Sequence, residues 1–269
     1  LQSDAFIEWV EEKRPHCVIH LASVLQLSAK ITREIAYKID IEATQRLLKS
    51  CIKMEIKKFI ITTSGAAYGY YPENKYIIFE DRPTRGNPDY FYSAHKAKVE
   101  QIMADYRLLH PELKQIVFRP GAILGPDFSG PVVKLFQQKV VVGLKGYPGW
   151  FNFIWSTDVV DYLVEGVYSD ITGEFNMSGD GLMSLRHIAM RLNKPYFPVP
   201  ELLLRAGLTV GKKLGLIEYG PEQIKFIKYR PILDNKKLKT TFKHQPIHST
   251  SQTLDAFLKS QQRKIHEKN

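Results

Sequence analysis

A tyrosine four residues ahead of a lysine, Tyr92 and Lys96 in "YSAHK", is the residue pair in this sequence best suited to proton chemistry. An unperturbed tyrosine has a pKa of about 10 and is a poor base at neutral pH. A lysine ammonium about 4 Å away stabilises the phenolate by about 4 kcal/mol at an effective dielectric constant of 20, which is roughly three pKa units at most. The pair therefore predicts a phenol that exchanges a proton near neutral pH.

The same spacing also occurs at Tyr71 and Lys75, so the spacing alone does not identify a site. Tyr71 and Lys75 lie in a loop-like run with a proline and without apolar periodicity after it. After Tyr92, apolar residues recur on one helical face, namely Val99, Ile102, Met103 and Tyr106. We therefore predict a helix under Tyr92 and Lys96, and no function for the other pair.

A serine at the end of a predicted strand is the third candidate. Ser64 stands in "TTSGAAYG" and ends the strand-like run "KFIITTS", where doubly wound sheets display functional side chains. Its alternative is a turn residue that hydrogen-bonds its own backbone. Beside Tyr92 and Lys96 we favour a serine that holds a substrate oxygen while a hydride leaves or joins the adjacent carbon. Because no side chain accepts a hydride, this chemistry requires a cofactor.

Alternating helix-like and strand-like segments would position these residues. Helical patterns cover 3–13, 30–53 and 93–109, and strand-like runs cover "CVIHLA" (17–22), 58–64 and "QIVF" (115–118). This order predicts an α/β fold with a doubly wound, parallel, Rossmann-like sheet. Further along, 158–168 reads as a helix, "GEFNMSG" as a strand and "GLKGYPGWFNFIW" as an exposed loop before another strand.

The predicted domains follow from this pattern. Residues 1–128 and 150–180 are assigned to a dinucleotide-binding core, and 129–149 and 181–269 to a smaller, mostly helical substrate-binding lobe. The lobe is expected at the carboxyl ends of the strands, where such sheets bind ligands.

Composition restricts the class of protein. The 269 residues are 44% hydrophobic and 25% charged, as in ordinary soluble proteins. No apolar run approaches the roughly 20 residues of a spanning helix, and the chain does not open with a signal-like leader. The two cysteines, Cys17 and Cys51, have neither metal-site nor disulfide spacing, so we expect two buried thiols, no metal and a cytoplasmic protein.

The net charge of +10 does not by itself indicate nucleic acid. Many cations fall late in the chain and alternate with apolar residues, as on solvated helix faces. The sequence has neither zinc-finger spacing nor an aromatic RNA-binding signature. We therefore favour attraction of a phosphate-bearing small molecule over a nucleic-acid partner.

Five blocks in order resemble the extended short-chain dehydrogenase/reductases, the NAD-dependent epimerase/dehydratase family. They are "HLAS" (20–23), "TTSGAAYG" (62–69), "YSAHK" (92–96), "RPGAILGP" (119–126) and "FIWSTDVVD" (153–161). The resemblance implies NAD or NADP as cofactor, Tyr92 as acid/base, Lys96 as the residue that lowers its pKa and binds the nicotinamide ribose, and Ser64 as hydrogen-bond donor to the substrate. It also implies a dinucleotide lined by Leu21, Ala22, Ser23, Thr62, Tyr92, Lys96, Phe118 and Pro120.

Two further residues are polar within apolar runs. His20 is expected to be a hydrogen-bonded core histidine without a chemical role. Arg119 could meet an anionic substrate or pair within the fold, and the sequence does not choose between them.

The chain departs from the family pattern at its beginning. The family opens with a glycine-rich turn that receives the pyrophosphate, and this sequence, which starts at Leu1, does not contain one. By resemblance it begins at the helix before the fourth strand. We therefore expect a fragment of a longer reading frame, with "CVIHLA" on an open sheet edge. The residue that separates NAD from NADP would lie in the missing part.

Two departures concern the reaction. The family's sugar dehydratases have Asp-Glu after the strand-end hydroxyl, whereas Gly65 and Ala66 follow Ser64 here, so dehydration is disfavoured. The family often has asparagine where this chain has Asp40, which adds a charge near the nicotinamide end.

The resulting hypothesis is an NAD(P)-dependent epimerase or oxidoreductase acting on a hydroxyl or ketone of a nucleotide sugar or similar small molecule. The alternatives are an NAD(P)H-dependent reductase of a more apolar carbonyl compound and a non-catalytic, dinucleotide-sensing regulatory protein. No membrane span is expected, and a homodimer is left open.

Overall fold

A parallel sheet flanked by helices holds the motifs in place. The computed structural model describes residues 5–215 and 220–266. The strands are β1 (Cys17–His20), β2 (Lys58–Thr62), β3 (Lys114–Pro120), β4 (Ala122–Leu124), β5 (Val141–Leu144), β6 (Trp150–Phe151), β7 (Phe153–Trp155), β8 (Gly173–Met177), β9 (Met183–Ser184) and β10 (Tyr196–Val199).

The α-helices alternate with these strands through the first half of the chain and predominate after β9. They are α1 (Ala5–Lys13), α2 (Arg33–Tyr37), α3 (Ala43–Lys53), α4 (Phe91–Leu109), α5 (Pro131–Gln137), α6 (Ser156–Tyr168), α7 (Leu185–Arg191), α8 (Glu201–Lys213), α9 (Ile224–Lys228), α10 (Lys236–Thr241) and α11 (Thr250–His266).

The main sheet has the spatial order β1-β2-β3-β8, and all its neighbouring strands are parallel. The α/β class and the Rossmann-like sheet are therefore confirmed. Within the described residues β1 pairs with β2 and with no second strand, and Ile19 on β1 is 41% exposed. The carboxyl ends of β1, β2 and β3 lie side by side, because His20 pairs with Ile61, and Thr62 with Phe118.

Successive residues of the central strands enter two different cores. Phe59 and Ile61 on β2 pack into the cluster that also contains residues of α1, α3 and α4. Ile60, between them, packs into the cluster formed with α6 and α10. Alternation of this kind is what a sheet covered by helices on both faces requires.

Several predicted boundaries are wrong in detail. The predicted strand 17–22 ends at His20, so Leu21 and Ala22 belong to the connection after β1. The predicted helix 30–53 is interrupted by a π-helical turn at Lys38–Glu42. Asp40 and Ile41, which lie in this wider turn, are both buried. The first two residues of the predicted helix 3–13 lie outside the described residues.

The predicted exposed loop at 143–155 is confirmed only for residues 145–149, which connect two strands and include the exposed Lys145 and Gly146. Its residues contribute to β5, β6 and β7, which pair with β10, β9 and β4 respectively. Leu144, Phe151 and Phe153 are buried in spite of the neighbouring glycines. Phe151 and Phe153 pack into the core that also contains residues of α5, α7 and α11. Cys51 is buried as expected, whereas Cys17 is only half-buried.

In the part of the chain that the structure covers, no helix is both long enough and apolar enough to cross a membrane. The division into a dinucleotide-binding core and a substrate-binding lobe stays a prediction.

Candidate functional site

Ser64 lies where β2 gives way to a tight turn. Its backbone is extended, and its hydroxyl accepts a hydrogen bond from the Ala66 amide at 3.1 Å, which caps the 3₁₀ turn Gly65–Tyr68. Ser93 in the first turn of α4 donates to the Ala66 carbonyl at 2.6 Å. The turn is thereby fixed against the helix that carries Tyr92.

Tyr92 and Lys96 occupy the first two turns of α4, as the sequence predicted. Ser64 is close enough to the Tyr92 hydroxyl to lower the pKa of that phenol. The Lys96 Nζ lies 5.7 Å from the centre of the Tyr92 ring and donates to the Thr62 carbonyl at 3.2 Å. The structure therefore brings together Ser64, Tyr92, Lys96 and Thr62 at the carboxyl end of β2.

Burial sets the proton affinities of the pair. It raises the pKa of Tyr92 to about 12, and Ser64 acts in the opposite direction. Burial lowers the pKa of Lys96 to about 8, and the charges of Asp40 and Glu100 oppose that change. Both effects are the usual desolvation of a charged form. A Tyr92 that titrates near neutral pH stays a prediction.

Asp40 and His95 form a contact that the sequence did not reveal. The Asp40 Oδ2 lies 2.8 Å from His95 Nδ1, and its Oδ1 accepts from the Ser23 hydroxyl at 3.0 Å and from the Val24 amide at 2.9 Å. A π turn changes the helical phase, so periodicity could not indicate that Asp40 points inward. The available signal was the Asp40 position between two isoleucines in the sequence.

His20 is a hydrogen-bonded core histidine, as expected. Its Nε2 lies 3.0 Å from Thr44 Oγ1, and that hydroxyl donates to the Asp40 carbonyl at 2.6 Å. Since the Thr44 proton is used in the second bond, His20 must be the donor in the first. Burial and the Lys96 charge lower the pKa of His20 to about 4, so the ring is neutral at ordinary pH.

Arg119 pairs within the fold, which resolves the choice that the sequence left open. Its Nε and Nη2 donate to the two carboxylate oxygens of Glu100 at 2.9 and 2.8 Å. Its Nη1 donates to the Tyr68 hydroxyl at 2.8 Å and to the Glu80 carbonyl at 3.0 Å. A guanidinium occupied in this way and 5% exposed is an internal tie between β3 and α4.

The remaining residues proposed to line a dinucleotide differ in access. Leu21 and Ala22 are exposed beyond the end of β1, and Ser23 is half-buried and bonded to Asp40. Pro120 is buried at the end of β3. Phe118 has no exposed surface and packs against Phe175 and Phe242, so its side chain serves the core.

A buried ammonium with free N–H donors can hydrogen-bond the hydroxyl groups of a ribose. Lys96 is 5% exposed, and its three N–H donors include one directed at Thr62. The residues present thus fit a bound nicotinamide ribose.

Tyr71, from the second tyrosine-lysine pair, instead donates its hydroxyl to the Gly86 carbonyl at 2.5 Å, and the Lys75 side chain lies outside the described part.

Comparison with known proteins identifies the family of the chain. The family model described as the NAD-dependent epimerase/dehydratase family matches residues 1–165. The chain belongs to this family. A UDP-glucose 4-epimerase of Yersinia pestis is 28% identical over 170 residues, which cover 54% of this chain and 49% of that protein. An uncharacterized protein of Mycobacterium bovis is 17% identical over 243 residues, which cover 90% of this chain and 65% of that protein.

A solved structure of another protein has the same fold. The UDP-glucose 4-epimerase of Thermus thermophilus in complex with NAD superposes with a TM-score of 0.67 at 21% identity, covering 95% of this chain and 82% of that one. At this identity the likeness shows the fold alone. The chain spans 49% of the length of the Yersinia pestis relative and 65% of that of the Mycobacterium bovis relative.

Gly69 closes the turn that presents Ser64. Its φ is +82°, and a Cβ there would lie 2.4 Å from the Tyr71 ring and 2.8 Å from the Gly86 carbonyl oxygen. Gly69→Ala is therefore expected to lower the free energy of unfolding, measured in urea, by about 1–3 kcal/mol.

Gly207→Ala is the matched control for this substitution. A Cβ at Gly207, within α8, meets nothing within 4 Å. Alanine should therefore leave the free energy of unfolding unchanged or raise it by up to about 1 kcal/mol. Equal losses at both glycines would contradict a strained, space-limited turn after Ser64.

Proposed function

We propose that the protein is an NAD-dependent epimerase that inverts a hydroxyl-bearing carbon of a nucleotide-linked sugar through Ser64, Tyr92 and Lys96. The observation that carries the proposal is the meeting of these three side chains: Ser64 lowers the pKa of Tyr92, and the Lys96 Nζ lies 5.7 Å from the centre of the Tyr92 ring. Family membership and the fold supply the cofactor class. NADP is the alternative cofactor.

Each side chain has one task in the proposed reaction. Ser64 donates a hydrogen bond to the substrate oxygen and fixes its position. Tyr92 removes the proton from that oxygen and later returns it. The Lys96 ammonium stabilises the Tyr92 phenolate and binds the nicotinamide ribose. Bound NAD supplies a hydride acceptor at the adjacent carbon, and inversion requires the hydride to return to the other face.

Epimerisation is favoured over dehydration by the residues after Ser64. Gly65 and Ala66 are both buried, and Ala66 presents a methyl group rather than a carboxyl group. Elimination of water needs a second acid/base pair near the reacting carbons. The position next to Ser64 cannot supply one.

Aromatic side chains surround Tyr92 on the side that faces the C-terminal part of the chain. The Tyr90 ring centre lies 6.1 Å from that of Tyr92, and Phe226 packs on Tyr70 and Tyr90 with ring centres 4.5 and 4.7 Å away. Aromatic surfaces suit either a sugar or an apolar carbonyl compound. They do not distinguish the epimerase from the reductase.

Arg230 favours the nucleotide sugar. Its guanidinium lies 4.0 Å above the Phe151 ring, and its buried Nε has no hydrogen-bond partner within residues 5–215 and 220–266. Burial lowers the pKa of Arg230, while Tyr70 and Tyr90 act in the opposite direction. A cation held beside aromatic rings, with a donor to spare, suits an anionic group such as a diphosphate far better than an apolar ketone.

Tyr92→Phe is the primary test of the proposed chemistry. Loss of the phenolic oxygen removes the acid/base group, so turnover of UDP-glucose should fall at least about 1,000-fold. NAD binding, followed by tryptophan fluorescence, should stay within about threefold of wild type, because Lys96 is untouched. Turnover at the wild-type rate would contradict the catalytic role, and binding without turnover in wild type would favour the regulatory alternative.

Arg230→Gln tests the substrate class. If Arg230 holds an anionic group, the KM for UDP-glucose should rise about 10–100-fold with a smaller change in kcat, as expected for a lost charge-assisted hydrogen bond. Arg205→Gln is the control, since Arg205 is exposed and pairs with Glu201 on α8. An unchanged KM in the Arg230 variant, or faster turnover of an uncharged apolar ketone, would favour the reductase.

A further inference from the structure

Asp40 joins three segments of the site through one carboxylate. The π turn carries it inward, and its side chain is 2% exposed. Oδ1 holds the Ser23 hydroxyl and the Val24 amide, in the connection after β1, and Oδ2 holds His95 on α4. The imidazole is itself fixed, because the Tyr37 and Phe91 rings meet it edge-on at 5.7 and 5.5 Å.

The charge of this carboxylate acts on His20, Tyr92 and Lys96. Burial lowers the pKa of His20 on β1 to about 4 and raises the pKa of Tyr92 on α4 to about 12, so both side chains are uncharged at neutral pH before cofactor and substrate bind. Burial raises the pKa of Tyr70 beside Tyr92, so it too keeps its proton. The charged neighbour on α4 is Lys96, one residue after His95.

Two carboxylates act on Lys96, and they are not equivalent. Asp40 and Glu100 both oppose the effect of burial on the Lys96 ammonium. Glu100, however, is engaged on both oxygens by the Arg119 guanidinium, so its charge is largely compensated. Asp40 is held by a serine hydroxyl, a backbone amide and an imidazole, and its charge raises the pKa of Lys96 more than the charge of Glu100 does.

We propose that Asp40 and His95 are a positioning pair for the site, in which His95 fixes the Asp40 carboxylate and the carboxylate keeps Lys96 in its ammonium form. The pair deepens the proposed function, since Lys96 is given its role there. Because the same carboxylate holds Ser23 and Val24, it also ties the connection assigned to the dinucleotide to the helix that carries Tyr92. One buried charge thereby couples cofactor binding to the protonation state of Lys96.

Asp40→Asn separates the charge from the hydrogen bonds. The amide oxygen can still accept from Ser23 and Val24, and the amide nitrogen can donate to His95 in its other tautomer. Removing a nearby negative charge lowers the pKa of an ammonium, so the titration of Lys96 should move down by about one unit from about 8. The measurement is NMR of lysine labelled at Cε, with Lys96→Arg to assign the signal, and it requires neither cofactor nor turnover.

His95→Gln and His95→Leu test the positioning half of the proposal. Glutamine keeps a donor for Asp40 and leaves its charge in place, so Lys96 should titrate as in wild type. Leucine removes the donor, so hydrogen exchange at the Val24 amide should become about tenfold faster as the carboxylate loosens. Equal exchange in the Gln and Leu variants would contradict a positioning role for His95.

The charge half of the proposal fails if Lys96 titrates at the same pH in wild type and Asp40→Asn. Asp40→Ser is a second neutral variant, and the same downward shift of the Lys96 pKa is expected there. These outcomes are distinct from those of the proposed function. A shifted Lys96 in a protein without turnover would refute the epimerase and leave the Asp40–Lys96 coupling standing.

Discussion

Helix α4 contributes a row of buried polar side chains, and the architecture of the site depends on their contacts. Ser93, Lys96 and Glu100 are each at most 5% exposed and follow at intervals of three and four residues, so they share one face. Each of them contacts a different element. Ser93 donates to the turn after Ser64, Lys96 donates to the backbone at the end of β2, and Glu100 accepts from the Arg119 side chain on β3. Because a buried polar group is costly without a partner, these contacts fix both the height and the rotation of α4.

The position of α4 in turn determines the electrostatics. Tyr92 and Lys96 lie on the first two turns, deep enough that burial dominates both pKa values. The two carboxylates that act on Lys96 come from different elements, Glu100 from the same helix and Asp40 from the π turn. The Arg119 guanidinium binds both oxygens of Glu100, whereas Asp40 is held by Ser23, Val24 and His95.

The sequence predicted what depends on local pattern. Apolar runs gave the parallel strands, and the spacing after Tyr92 gave the helix under the pair, because both follow from burial on a defined face. The closeness of Ser64 to Tyr92 was predicted from the position of Ser64 at the carboxyl end of a strand. What failed depended on distant contacts: within residues 143–155, the segments 143–144, 150–151 and 153–155 form strands that pair with β10, β9 and β4.

The Asp40–His95 contact was beyond prediction for a different physical reason. A π turn inserts one residue into the helical repeat, and no sequence rule locates such a turn. Arg119 is the converse case, in which residue type allowed two roles and the Glu100 and Tyr68 contacts decided between them. The sequence therefore indicated which polar residues lie within apolar segments, but it did not indicate which residues they contact.

The central claim, that Tyr92 and Lys96 serve a reversible hydride transfer on a nucleotide sugar, is tested most directly by following deuterium. A substrate deuterated at the carbon that inverts, incubated with NAD in ordinary water, should give a product that keeps the deuterium while no reduced cofactor accumulates. Loss of deuterium to the solvent, or reduced cofactor formed in proportion to product, would contradict the claim.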